Sequence, residues 1–162
     1  MSIQKWDAAV IGAGPAGLCS ALQCAREGLK TLLVEKNGIS GGAITAAGIN
    51  YPGIFQAWGR QLIAGIGWEL VKKTLLETDS PLPDFSVPGD GTNHGMHVRI
   101  NPLLFAAIAD EELLKAGVSI QYHTMPGALK PTRDGWTLTL CGKDGLFEAE
   151  SAVVIDCTGD AN

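Results

Sequence analysis

Short apolar runs and longer amphipathic stretches alternate along this chain, and the first three of them already suggest a unit. Asp7-Ala-Ala-Val-Ile-Gly12 is a continuous apolar run closed by glycine, as expected of a strand buried on both faces. Residues 15–27 follow with Leu18, Ala21, Leu22 and Ala25 on one helical face. Pro15 suits the first turn of that helix and Gly28 the position just past its last. Thr31-Leu-Leu-Val34 is a second buried run, ended by Glu35. Strand, helix and strand fit within about 30 residues, the size of a compact βαβ unit.

The pattern then loosens. Residues 37–59 are glycine-rich and loop-like, and a helix is predicted from about Arg60 to Glu77, with Leu62, Ile66 and Leu70 at four-residue spacing. Residues 79–95, with three prolines, read as a long irregular stretch. A short strand is predicted over Val98–Ile100, then a helix capped by Asn101, opened by Pro102 and ended by Gly117. Val118–His123 reads as a strand. Trp136–Leu140 and Leu146–Glu150, joined by Gly142-Lys143-Asp144-Gly145, read as a hairpin, and Ala152–Ile155 as a last strand. The expected fold class is α/β, a Rossmann-like fold with a mainly parallel sheet in the order Val118–Tyr122, Thr31–Val34, Ala8–Ile11, Ala152–Ile155. Residues 1–162 are expected to form one domain, with 46–100 as a loop-rich insertion.

Composition narrows the function classes. The chain has 162 residues, 46% hydrophobic and 18% charged, so a core without staples is feasible. A formal net charge of −5 argues against nucleic acid or an anionic membrane as the main partner. No run approaches the ~18 apolar residues of a membrane helix, and the N-terminus lacks the pattern of a signal peptide. Cys19, Cys24, Cys141 and Cys157 show no CxxC and no zinc-type spacing, so they are expected to be reduced packing residues of a cytoplasmic protein.

The candidate chemistry lies in Gly12-Ala-Gly14-Pro15-Ala16-Gly17. A GxGxxG is weak evidence alone, but here a buried strand precedes it and a helix opens inside it. Gly12 allows the tight turn, Gly14 lets backbone approach a pyrophosphate, and Gly17 allows close helix–strand contact. The helix N-terminus adds partial positive charge and free N–H donors. Glu35, at the end of the second strand, stands where an acid can accept from the adenosine ribose hydroxyls and disfavour a 2′-phosphate. Together these residues predict a site for the ADP half of a dinucleotide.

With Asp7-Ala-Ala-Val-Ile-Gly-Ala-Gly-Pro-Ala-Gly-Leu18, Leu32-Leu-Val-Glu-Lys36, Gly41-Gly42-Ala-Ile-Thr45 and Val153-Val-Ile-Asp-Cys-Thr-Gly-Asp160, the chain resembles the N-terminal part of FAD-dependent oxidoreductases of the glutathione-reductase-like superfamily. Within it, the chain looks like the branch of fumarate reductase and succinate dehydrogenase flavoproteins. The resemblance implies FAD as cofactor, held by Gly12, Gly14, Pro15, Ala16, Gly17, Glu35 and Lys36 at its ADP moiety. It implies Gly41, Gly42 and Thr45 along the pyrophosphate, ribityl chain or flavin edge, and Thr158 and Gly159 near the cofactor. It also makes the Trp136–Glu150 hairpin part of a β-meander crossover. The expected activity is hydride transfer between a small organic substrate and the flavin.

Members of that superfamily usually continue into a substrate domain and return with a further strand, so a second polypeptide or a further C-terminal portion is expected to complete the site. The alternatives are a cofactor-binding subunit or fragment inactive without its partner, and an NAD-dependent Rossmann enzyme, which Gly41-Gly42 and the hairpin disfavour. No catalytic acid or base stands out. His94 and His97 lack carboxylate or cysteine partners in sequence, so no metal site is expected. His123 reads as a strand-end polar residue, Arg60 and Arg99 as exposed ion-pair formers, Cys157 as packing, and Trp58 and Trp68 as core.

Overall fold

A computed structural model describes residues 3–86 and 98–159. Among these residues eight strands and three α-helices follow in the order β1 (Gln4–Ile11), α1 (Pro15–Arg26), β2 (Thr31–Val34), β3 (Gln56–Ala57), β4 (Arg60–Gln61), α2 (Ile66–Glu77), α3 (Pro102–Lys115), β5 (Ser119–Gln121), β6 (Met125–Thr132), β7 (Gly135–Gly142) and β8 (Gly145–Asp156). A single 3-10 turn, Gly42–Ile44, lies between β2 and β3. Six strands form one sheet in the order β5-β2-β1-β8-β7-β6. Its first four strands are parallel, as β1 pairs with β2 and with β8 and β2 pairs with β5, whereas β6, β7 and β8 form an antiparallel meander.

The continuous apolar runs arise because this sheet is covered twice. On one face Val10 and Leu33 pack with Leu18 and Leu22 of α1, Leu70, Val71 and Leu75 of α2, and Phe105 and Leu113 of α3. On the other, Trp6, Ala9, Ile11, Leu32 and Val34 meet Leu138, Leu140 and Ala149 of the meander. Side chains alternate across a strand, so β1 has no face left for a polar residue between Ala8 and Ile11. Two ion pairs tie the helices together at their rim, Arg26 to Glu69 between α1 and α2 and Lys73 to Glu112 between α2 and α3.

The helix ends follow their signals. The Asn101 carboxamide accepts from the N–H groups of Leu103 and Leu104, both at 3.1 Å. Gly28 and Gly117, just beyond α1 and α3, both take a φ of +82°.

Elsewhere the structure corrects the expectations. The second helix begins at Ile66 instead of Arg60, because Arg60–Gln61 pairs with Gln56–Ala57 across Trp58-Gly59. Both residues of that turn have positive φ, 53° and 71°, which suits the twist of a two-residue hairpin. Trp58 thereby sits at the tip, 87% exposed, and Leu62 is exposed as well; neither belongs to the core. Trp68 does pack, between Phe55 and Phe85. Residues 98–100 form no strand, although the Ile100 N–H donates to the Asn50 carbonyl. β6 was not anticipated. The expected strands 146–150 and 152–155 are one strand, β8, whose first half pairs with β7 and whose second half pairs with β1. All four cysteines are free, and Cys141 is exposed on the meander instead of packed.

Candidate functional site

Each of the three central parallel strands ends beside the glycine turn, and hydrogen bonds lock the ends together. The Gly12 N–H donates to the Val34 carbonyl at 2.7 Å, and the Cys157 N–H to that of Ile11 at 2.9 Å. Gly12 has a φ of +96°, and a Cβ there would stand 2.9 Å from the Cys157 carbonyl oxygen. At Gly17 a Cβ would fall 1.7 Å from the Gly12 carbonyl oxygen, so only glycine lets α1 start this close to the turn. At Gly14 nothing stands within 4 Å. That position faces open space.

The space is a cleft of about 530 Å³ at the carboxyl ends of β1, β2 and β8, within the roughly 300–1,000 Å³ typical of cofactor sites. Gly12, Gly14, Pro15, Ala16, Glu35, Lys36, Gly42, Thr158 and Gly159 all line it. Gly17, Gly41 and Thr45 do not. Gly17 supports the turn from behind. Gly41 donates its N–H to the Ala13 carbonyl at 2.7 Å, and the Thr45 hydroxyl donates to the Ser40 carbonyl at 2.6 Å. A Cβ on Gly42 would be 2.8 Å from the Gly14 Cα, so the 3-10 turn lies directly against the phosphate-type turn.

No side chain caps α1, whose N-cap is Gly14. The first amides of the helix therefore lack intrahelical partners and open towards the cleft. Across from them Glu35 is buried, only 4% exposed. Its Oε2 accepts from the Ala13 N–H at 2.7 Å, and its Oε1 from the Asn37 N–H and side-chain amide at 2.7 and 2.8 Å. A carboxylate has about four acceptor sites, so one on Oε2 remains for a ligand hydroxyl. At the end of β8 the Thr158 hydroxyl and N–H both donate to Asp156 Oδ1, which holds the Asp156 carboxyl below its usual pKa.

Several lining residues escaped the sequence reading. Thr124, Met125 and Pro126, at the start of β6, form a wall facing Asn37, and Ala43 extends the glycine wall. Cys157 lines the cleft too, its thiol 3.6 Å from the Ser20 hydroxyl. The signal for Cys157 was its place next to Thr158-Gly159; Thr124–Pro126 carried none. His123, at a φ of +52°, donates its N–H to the Asn37 carbonyl and stands outside the lining. Arg60 and Arg99 are not in it either, and His94 and His97 lie outside the described residues. Among the described residues no cluster could hold a metal ion, and no helix is long and apolar enough to cross a membrane. A second cavity of about 310 Å³, lined by Leu18, Ile44, Tyr51, Phe55, Leu70 and Phe105 among others, adjoins the cleft through Pro15 and Ala43, and none of the described residues lining it is charged.

Comparison with known proteins adds four findings. Residues 7–162 match the family model described as FAD dependent oxidoreductase. A thiamine thiazole synthase of Aeropyrum pernix is 29% identical over 124 residues, 75% of this chain and 46% of that protein. A thioredoxin reductase of Peptoclostridium litorale is 48% identical over 60 residues, 36% of this chain and 19% of that one. The crystal structure of Thermovibrio ammonificans THI4 superposes over 96% of this chain and 58% of its own, with a TM-score of 0.59 at 19% identity, a likeness of fold. This chain thus spans less than half the length of the Aeropyrum pernix synthase and about a fifth of the reductase.

Proposed function

The chain belongs to the FAD-dependent oxidoreductase family, and from that premise we propose that it is the FAD-binding portion of an enzyme transferring hydride between a small organic substrate and the flavin. The observation that carries the reading is the cleft itself. It has an uncapped helix start on one side and a buried carboxylate on the other, and the glycine between them faces open space. A side chain at Gly14 would occupy that cradle, so the residues present fit a pyrophosphate.

In this reading the α1 amides and the Gly14 backbone bind the pyrophosphate, and the spare acceptor on Glu35 Oε2 takes one ribose hydroxyl. Lys36 and the Thr124–Pro126 wall border the adenosine. Gly42, with Gly41 and Thr45 behind it, guides the part beyond the pyrophosphate, and Thr158-Gly159 closes the other side. When bound, FAD supplies the hydride chemistry, and the protein supplies position and electrostatics. The second cavity, uncharged among its described lining residues, favours an apolar substrate group beside the cleft. Glu35 disfavours a 2′-phosphate by like charge. The four free thiols support a cytoplasmic setting.

Within the family we place the chain with the fumarate reductase and succinate dehydrogenase flavoproteins. The packing of Gly42 on Gly14 and the Asp156–Gly159 strand end support that placement. A second polypeptide, or a further portion of the same one, supplies what the cleft lacks; the short span against relatives supports this. The deciding experiment is the visible spectrum of the purified chain after incubation with excess FAD and desalting. Retained flavin bands near equimolar ratio are expected. A colourless chain that stays colourless with candidate partners, or one from which NADH displaces FAD with preference, overturns the proposal.

A further inference from the structure

One carboxylate ties together two walls of the cleft that are far apart in sequence. Asp110 lies on α3, away from the cleft lining. Its Oδ1 accepts from the Ser40 hydroxyl at 2.7 Å and from the Tyr122 phenol. Ser40 is fully buried and immediately precedes Gly41-Gly42. Tyr122 stands two residues before Thr124, whose hydroxyl donates to the Tyr122 carbonyl at 2.9 Å and whose N–H donates to the Glu35 carbonyl at 3.0 Å. The glycine wall and the Thr124–Pro126 wall therefore meet on a single oxygen.

We propose that Asp110 is a positioning residue for the cofactor cleft: through Ser40 it holds the Gly41-Gly42 turn against Gly14, and through Tyr122 it holds the facing wall. The inference rests on the FAD reading above and names the device that preforms its site. An acid in the middle of a packed helix loses hydration, and an apolar side chain would serve the core as well. What an apolar side chain could not do is accept from both walls at once. Burial and the neighbouring Asp110 raise the Tyr122 pKa, the direction that favours the protonated, donating phenol. The carbonyl of Ser40 is held in turn by Thr45, and the Gly41 N–H by Ala13. Two further groups of the glycine turn are thus engaged, and α3 reaches it from another layer of the fold through Asp110, with the Ala106 carbonyl a longer second acceptor for the Ser40 hydroxyl at 3.4 Å.

The ADP portion of the ligand depends on Gly14, the α1 amides and Glu35, whereas the portion beyond it depends on the glycine turn. Affinities for ADP and for FAD should therefore separate. Ser40→Ala cuts the tie while leaving the Asp110–Tyr122 bond in place. It is expected to weaken FAD binding roughly tenfold, the scale of one hydrogen bond to a charged group, and to leave ADP affinity within about twofold. Asp110→Ala should lose more, and Asp110→Asn, which keeps an acceptor oxygen, should restore most of the FAD affinity. Equal losses for ADP and FAD, or none for either, overturn the inference. Should the wild-type chain take up no flavin even with candidate partners, the FAD reading fails by itself. Hydrogen exchange at the Gly41 and Gly42 amides then decides the inference: faster exchange in Ser40→Ala supports the tie, and unchanged exchange overturns it.

Discussion

Gly14 and Gly17 share one turn, yet a side chain would meet different surroundings at each. Gly17 is demanded by the fold, since its Cβ would overlap a backbone oxygen that cannot move without moving β1. Gly14 is demanded by nothing in the protein; its φ of −71° and ψ of −179° suit any residue. Gly14→Val should therefore melt close to wild type while losing ADP and FAD binding, and Gly17→Ala should destabilise the chain by roughly 3 kcal/mol or more. Thermal melts and ligand titrations on the two variants check this, and a large loss of stability at Gly14 would contradict it. Glu35 combines both kinds of demand. Because it accepts from the buried Ala13 N–H, Glu35→Ala should cost the unliganded chain about 1–3 kcal/mol. Glu35→Gln should cost less, as its one oxygen can satisfy Ala13 but its amide then faces the Asn37 donors. Urea titrations without ligand read this out. The turn and Glu35 were legible in the sequence because glycine and acid stand at strand ends. Asp110 was not, because an acid followed by Glu111 and Glu112 reads as the solvated face of a helix.

Whole elements were legible where burial made their pattern simple. β1 and β2 are covered on both faces, so they read as continuous apolar runs, and α1 and α3 are bounded by proline and glycine. β6 was hidden for the opposite reason. It is an edge strand, mostly exposed, with Pro126 and Pro131 in it and an irregularity between Pro126 and Ala128, so neither alternation nor propensity marks it. α2 was overextended because Leu62 continues the four-residue spacing although it is exposed. The contacts between helices carry their own pH dependence. Arg26 and Lys73 each hold a partner carboxylate, Glu69 and Glu112, below its usual pKa through a side-chain hydrogen bond. A lowered folded-state pKa gives stability that is present above the unfolded value of about 4.5 and lost as pH falls through the folded one. Both pairs are partly exposed, so each contributes no more than about 1 kcal/mol. In Glu112→Gln the difference from wild type should be measurable at pH 7 and shrink as pH falls below 4.5 through the lowered folded-state pKa; a difference that does not shrink with acidification would locate the effect elsewhere.

At the scale of the molecule, the cleft is assembled from strand ends, loops and walls that only the complete sheet brings together, so ligand binding and folding should be coupled. Saturating FAD at about a hundredfold its Kd should add roughly 2.7 kcal/mol of stability and raise Tm by roughly 5–10 °C. A melt that ignores FAD would uncouple the cleft from the fold. The same dependence on the whole sheet bears on how the chain can change over generations. Residues 149–151 of β8 have partners on both sides, in β7 and in β1. Lys143 and Asp144, at the turn before it, have none in either register. Length variation is thus free at that tip, whereas one residue gained or lost between Ala149 and Asp156 would break a register and carry Thr158 away from the cleft. Among descendants of this sequence, gaps should gather at 143–144 and spare the strand that meters the distance to the cofactor.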